Sequence, residues 1–251
     1  VLAILCLLIV SAVAAQPPDA LAQTIPLTWE EADLSTRLMD GAHRFVERKI
    51  AEAPARRGQF WKRDFSSTEA YRKSVQPNRE RFRTIIGAVD PRLPVRMERF
   101  GDDAHPALVA ENSRYRVYQV RWPVLEGLFG QGLLVQPIGK PVGHVIALPD
   151  ADQTPEQLMG LAAGGAPESQ AGRRLAESGF EVILPVLVNR QKLATEDRQL
   201  RASDQTHREW IYRQAFHVGR HVIGYEVQTV LAATDWFRQQ HGPNAKVGIC
   251  G

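Results

Sequence analysis

The chain has 251 residues, of which 44% are hydrophobic and 24% charged, and this is the composition of an ordinary globular protein. Its net charge of +3 is mild, and its basic residues are scattered or paired with acids, which argues against a nucleic-acid partner. Of its 2 cysteines, Cys6 lies in a segment that we expect to be removed, which excludes an internal disulfide. No Cys/His cluster has zinc-ligand spacing, so we expect neither a metal nor a cofactor.

The first residues are typical of a secretory signal peptide. Residues 1–10 are an unbroken apolar run that is shorter than the roughly 20 residues of a membrane span. Small residues follow, with acceptable cleavage sites before Gln16 and Gln23. We therefore expect a signal peptide over residues 1–22 that lacks its basic start. The mature protein would be secreted or periplasmic, with no stable membrane insertion.

Residues 24–92 are polar and have helical periodicity, which predicts two or three helices forming an extension or cap. Capping boxes are indicated by the pairs Thr28/Glu31 and Ser66/Glu69, each followed by apolar residues at helical spacing. Pro54 marks a linker over residues 53–57.

The apolar period changes towards two after residue 95, which indicates strands and the start of a second domain over residues 93–251. Residues 115–122 alternate, a glycine-rich turn follows from Gly127, and residues 133–135 continue as a second strand. The glycine order is G-x-x-G-x-G and no helix follows, so this is not a dinucleotide fingerprint. The pattern predicts an antiparallel hairpin.

Residues 144–148 are a continuous apolar run, which predicts a strand buried on both faces of a sheet, and residues 180–185 are interpreted as a further strand. Between them, Thr154 caps a short helix and forms a box with Gln157. A second helix over residues 169–178 ends at a glycine in the C′ position. This alternation of strands and helices predicts right-handed crossovers and a mainly parallel sheet with flanking helices.

A long helix is predicted from a capping box at Thr206 to about residue 240, broken near Gly219 or Gly224. His217 and His221 are four residues apart and would share a helix face. That spacing can bind a metal, but a valine stands where the H-E-x-x-H motif has its glutamate. We interpret both histidines as packing residues.

Three motifs carry a resemblance to a known family. They are V-R-W-P-V-L-E-G-x-x-G-x-G-L-L from residue 120, L-A-x-x-G-F-x-V-x-L-P from residue 175, and D-W-F-x-x-x-x-G-P-x-A-K-V-G-I-C-G from residue 235. The chain resembles the α/β-hydrolase superfamily, in the branch of dienelactone hydrolases and acetyl xylan esterases. The resemblance implies the N-terminal part of an α/β-hydrolase domain behind the helical extension.

The resemblance also implies where the chemistry lies. Gly251 would be the elbow glycine, with the nucleophile two residues later and the acid and histidine of the triad further on, so no catalytic residue lies within the chain. We therefore expect the chain as given to have no hydrolase activity. The turn at Asp150, Ala151 and Asp152 would form the oxyanion-hole region, although the family commonly has His-Gly there.

A different register would make Cys250 the nucleophile, with Gly248 as the first glycine of the elbow. That register leaves only Lys246 and Val247 as strand after the loop, which is too short for a central strand of about five residues. We interpret Cys250 as a small residue in a buried strand instead.

The function that the resemblance implies is an exported serine-type ester hydrolase, acting on an acylated carbohydrate or another small ester. Two alternatives stay open: a peptidase of the same fold, and a non-catalytic binding protein, because aspartates beside an oxyanion are unfavourable. We further predict that Val247 and Ile249 lie at the centre of a parallel sheet, beside residues 145–148. The sequence does not predict an oligomeric state.

Overall fold

The computed structural model describes residues 34–192 and 204–251. These residues divide into two compact units, with the boundary between Lys62 and Arg63. The predicted signal peptide and the capping box at Thr28 lie outside the described residues. Within the described ranges, no helix is both long enough and apolar enough to cross a membrane.

The first unit contains helix α1 (Leu34–Arg57), followed by a 3₁₀ turn at Gly58–Phe60. The predicted linker around Pro54 is wrong, since the helix continues through that residue. Proline removes one backbone hydrogen bond, but its neighbours are mostly good helix formers. Glu52 also pairs with Lys49 one turn before it and with Arg56 one turn after it, which supports the helix across the proline.

The second unit contains five helices and one sheet of seven strands within the described residues. The strands are β1 (Glu98–Arg99), β2 (Leu108–Glu111), β3 (Tyr115–Leu125), β4 (Leu128–Pro137), β5 (His144–Ala147), β6 (Glu181–Pro185) and β7 (Val247–Cys250). The helices are α2 (Thr68–Ile85), α3 (Pro155–Met159), α4 (Ala171–Glu177), α5 (His207–His217) and α6 (Val222–His241). The strand order is β1-β3-β4-β6-β5-β7, and β2 also pairs with β3.

The sheet is mixed, so the prediction of a mainly parallel sheet is wrong. Strands β1 to β4 and the β4–β6 pair are antiparallel, whereas only β6–β5 and β5–β7 are parallel. The predicted hairpin is confirmed, with Gly127 at its turn with φ 74°. Strands joined by so short a turn must be antiparallel, and β3 and β4 are the longest strands of the sheet.

The last strand pairs with β5 in parallel, as predicted, with Ile146 opposite Ile249. Its predicted central place is wrong for the described residues, because β7 has only β5 as a neighbour and forms an edge of the sheet. Accordingly, Ile249 is 57% exposed rather than covered on both faces.

The hydrophobic core has two clusters on opposite faces of the sheet, as the alternation along β6 shows. Ile183 packs into the cluster beneath α6, where Trp122 and Phe237 are fully buried. Its neighbours Val182 and Leu184 face the cluster beneath α3 and α4. The predicted flanking helices are therefore present on both faces.

The sequence predicted the ends of several helices correctly. The Thr154 capping box has both of its hydrogen bonds, and Gly179 follows α4 with φ 85°. The predicted break after residue 206 occurs between α5 and α6, where Gly219 has φ 66°. The capping box predicted at Ser66 is wrong, because Ser67 is the N-cap of α2 and accepts a bond from the N–H of Ala70, whose side chain cannot complete a box.

Candidate active site

The turn after β5 is held by its own side chains. Asp150 Oδ1 accepts the Asp152 N–H at 3.1 Å, and the Asp150 carbonyl accepts the Gln153 N–H at 3.0 Å. Gln153 Oε1 accepts the Asp150 N–H at 3.2 Å in return. These reciprocal bonds fix the backbone of the predicted oxyanion-hole region before any substrate binds.

One backbone donor of this turn has no acceptor among the described residues, namely the Ala151 N–H. The N–H groups of Asp150, Asp152, Gln153 and Thr154 each donate to a side chain or carbonyl of the same segment. Ala151 is only 7% exposed, and unpaired backbone N–H groups are rare at such burial. The turn therefore leaves a single fixed donor available for a ligand.

Arg190, in the loop after β6, joins both aspartates of the turn. Its Nη1 lies 2.9 Å from Asp150 Oδ1 and 2.8 Å from Asp152 Oδ2. The pKa of Asp150 is held below its ordinary value, first by the Asp152 N–H and then by this guanidinium. Since one positive charge faces two carboxylates, the turn carries less negative charge than the sequence alone suggests.

The end of β7 lies against Leu148, which precedes this turn. The Leu148 N–H donates to the Cys250 carbonyl at 2.8 Å, which extends the β5–β7 pairing. A Cβ placed on Gly251 would lie 3.1 Å from Leu148 Cβ, closer than most side chains pack. Glycine thus permits the close approach of the two strand ends.

Cys250 has the environment of a packing residue. It is half-buried against the cluster beneath α3 and α4, opposite Ala147. Burial raises the pKa of its thiol, which makes the nucleophilic thiolate scarcer at neutral pH. These features favour the structural interpretation of Cys250 over the catalytic one.

Two neighbouring cavities, each of about 360 Å³, open near the carboxyl ends of β5 and β6. The polar one is lined by Arg190, Thr206, Arg208, Glu209, Tyr212, His221, Val222 and Ile223. The apolar one is lined by Leu148, Leu187, Ile223, Glu226, Val227, Val230, Leu231 and Ile249. They share Ile223, so the two cavities lie side by side.

The two histidines of the predicted helix face are separated. His217 ends α5, whereas His221 is the N-cap of α6, because the chain breaks between the helices. His221 Nδ1 accepts the Ile223 N–H at 3.1 Å, and its ring meets the edge of Tyr212. The prediction that they share a face is wrong, and only His221 lines the polar cavity.

A cluster that the sequence analysis missed lies at the opposite end of the strands, at the amino ends of β5 and β6. His144 and Glu181 are the first residues of β5 and β6, and His241 is the last residue of α6. Their three ligand-type atoms lie within 4.8 Å of one another. Burial, and then the charge of His241, lower the pKa of His144. The available signal was a polar residue opening each of two apolar strands.

Comparison with protein-family models finds no match, and comparison with curated proteins finds none either. Among solved structures, the chain is similar to a protein of Bacteroides fragilis described as a candidate acetyl xylan esterase, at 17% sequence identity with a TM-score of 0.49. The match covers 72% of this chain and 47% of that protein, so the chain spans about half the length of the structure it matches. On its own architecture, the chain is an α/β protein with a mixed sheet.

Proposed function

We propose that this protein is a carboxylic ester hydrolase whose reacting carbonyl binds at the carboxyl ends of β5 and β7. The observation that carries the proposal is the Ala151 N–H, which has no acceptor among the described residues and lies in the turn that follows the contact of Leu148 with Gly251. Backbone donors held in place before the reaction are what an oxyanion hole needs, because they stabilise charge as it develops.

The roles follow from this placement. A nucleophile on the turn after β7 attacks the ester carbonyl, and the Ala151 N–H donates to the oxygen that becomes negative. In the fold that the chain resembles, this nucleophile stands two residues after Gly251. Arg190 balances one of the two carboxylate charges beside that oxygen, which weakens the argument for a non-catalytic protein. The polar and apolar cavities receive the two halves of the ester. An acylated carbohydrate is the substrate class that the resemblance favours.

The test is made on the full-length protein. A fluorophosphonate probe should label one serine, mapped by mass spectrometry to the second residue after Gly251, and small acetyl esters should be hydrolysed. Ala151→Pro removes the N–H and should lower kcat by about 100-fold or more, in line with the loss of other oxyanion donors. Ala151→Gly keeps the N–H and serves as the matched control, and circular dichroism checks that both variants fold.

The outcomes separate the alternatives. Hydrolysis of peptides without hydrolysis of esters would indicate the peptidase instead. Absence of labelling and of turnover would contradict the proposal as a whole. If Ala151→Pro folds and retains full activity, the oxyanion donor is another group.

A further inference from the structure

We propose that His144, Glu181 and His241 bind one divalent transition-metal ion, with Zn²⁺ as the best match. The site lies at the amino ends of β5 and β6, away from the candidate active site, and does not depend on the proposed hydrolase activity. Two imidazole nitrogens and one carboxylate oxygen are a donor set that Zn²⁺ accepts, with a fourth position left to water.

The two distances from the Glu181 carboxylate are close to those that a tetrahedral ion requires, and the two histidine nitrogens lie within 4.8 Å of each other. Glu181 Oε2 lies 3.1 Å from His144 Nδ1 and 2.8 Å from His241 Nε2. With zinc–ligand bonds of about 2.0–2.1 Å, tetrahedral ligand atoms stand roughly 3.3 Å apart. The ligand atoms would therefore separate by only a few tenths of an ångström from Glu181 to admit the ion.

Rigid elements hold the three residues. His144 and Glu181 are paired in register on adjacent parallel strands, and His241 ends the 20-residue helix α6. The residues are 37 and 60 positions apart in sequence, which is why no spacing motif announces them. The second carboxylate oxygen accepts from Gln136 Nε2 at 3.0 Å, and an outer partner of this kind orients a metal-binding carboxylate.

The charge at this position also favours a cation. The Glu181 side chain is only 5% exposed, and among the described residues its charged partners are the two histidines rather than a lysine or an arginine. A buried carboxylate needs a balancing charge. An imidazole supplies that charge only when it is protonated, whereas a divalent ion supplies it while both imidazoles are neutral ligands.

The ring geometry predicts one movement. The two imidazoles stack with centroids 3.9 Å apart and an interplanar angle of 22°. An ion bound to both rings must lie near the plane of each, so one ring has to turn. His241 is the one able to do so, because its side chain is 31% exposed compared with 11% for His144. The same exposure gives the ion an entry path.

Titration of the chelator-treated full chain with Zn²⁺ tests the proposal by calorimetry, and Co²⁺ serves as an optical probe of tetrahedral coordination. We expect one ion per chain, with visible absorption typical of tetrahedral Co²⁺. Glu181→Gln and His241→Ala should each weaken Zn²⁺ binding by about 100-fold or more. Loss of a residue that only hydrogen-bonds to a metal ligand already weakens binding by about 10- to 100-fold, and loss of a ligand should cost at least as much. His105→Ala and His217→Ala are the controls, since both histidines lie outside the cluster and should leave binding unchanged.

A thermal melt supplies a second measurement, because an ion that binds the folded chain raises its Tm. That rise should disappear in His241→Ala, which alters a partly exposed residue at a helix end and is the variant best able to fold. If the wild-type chain shows no saturable binding below about 1 mM, or if both cluster variants bind as tightly as wild type, the proposal is overturned. In that case the three residues form hydrogen bonds that hold the end of α6 against the sheet, and they do not bind a metal ion.

Discussion

Arg208 and Glu226 form a two-pronged ion pair, with Nη1 2.6 Å from Oε1 and Nη2 2.9 Å from Oε2. The same two side chains bind both backbone groups of Val188: Arg208 donates to its carbonyl at 3.0 Å, and Glu226 accepts its N–H at 3.2 Å. One pair of side chains therefore ties the loop after β6 to α5 and α6. This loop carries Arg190, so the pair also positions the candidate active site.

Removal of this ion pair should lower the free energy of unfolding. We expect Glu226→Gln to lower the free energy of unfolding by about 2 kcal/mol, between the values for exposed and buried pairs, because both side chains are mostly buried. Urea unfolding measures the change. Arg213→Gln is the matched control, since it breaks the exposed pair with Glu209 one turn away and should cost about 0.5 kcal/mol or less. Equal losses in the two variants would contradict the special role of the pair.

The balance of charge at the turn after β5 makes a second prediction, for the full-length protein. Arg190→Gln leaves two unbalanced carboxylates beside the proposed oxyanion, and we expect kcat to fall about fivefold, corresponding to about 1 kcal/mol of lost electrostatic stabilisation. Adding Asp150→Asn should recover most of the loss. Ester hydrolysis at low and high salt measures both effects, and the loss should shrink as salt increases. An unchanged kcat in Arg190→Gln would separate this turn from catalysis.

Asp90 and Arg220 give a pH-dependent prediction. Arg220 donates to both carboxylate oxygens at 2.6 Å, and these hydrogen bonds hold the pKa of Asp90 below its ordinary value. A carboxyl whose pKa is lower in the folded state stabilises the protein above the unfolded pKa, near 4, and loses that contribution as the pH falls through the folded pKa. Between pH 5 and about 3, wild type should therefore lose more unfolding free energy than Asp90→Asn. If the unfolding free energies of the two proteins fall equally over this pH range, the prediction is wrong.

Gly224 predicts a steric effect on stability. A Cβ at this position of α6 would lie 2.1 Å from the Ile86 carbonyl oxygen and 2.9 Å from the Gly87 carbonyl carbon. Backbone atoms cannot move aside as a flexible side chain can, so Gly224→Ala should destabilise the protein by about 3 kcal/mol. Gly41→Ala in α1 is the control, because nothing lies within 4 Å of its Cβ and alanine favours a helix by up to about 1 kcal/mol. Thermal unfolding compares the two, and a tolerated Gly224→Ala would contradict the close approach.

Several features decided within a few neighbouring residues were predicted from the sequence, although the linker at Pro54 and the capping box at Ser66 were not. The hairpin at Gly127, the capping box at Thr154 and the glycine after α4 depend on local backbone geometry alone. The parallel pairing of β5 with β7 followed from their apolar character and from the resemblance. Residues 150–152 were predicted correctly as a turn, and Leu148 just before it contacts Gly251, while the position of the turn beside Gly251 and its oxyanion role stay predictions.

Apart from the β5–β7 pairing, the features that depend on residues far apart in sequence were not predicted. Asp90 and Arg220 are 130 positions apart, and neither belongs to a motif. The mixed sheet arises because β4 pairs with β6, and apolar alternation says nothing about which strand becomes its neighbour. Arg190 lies in a charged stretch without a regular apolar period. Its ion pairs with Asp150 and Asp152 depend on how the loops after β5 and β6 come together in the fold, which the sequence pattern does not show.

The edge position of β7 has a consequence for how the chain behaves in solution. A strand with one neighbour presents a row of unpaired backbone groups, and this one also exposes Ile249 beside the apolar cavity. Such an edge is a template for pairing with a strand of a second molecule. Its four-residue length and the adjacent Lys246 limit that tendency. A further strand, whether from the same protein or from a second molecule, would therefore extend the sheet at residues 247–250.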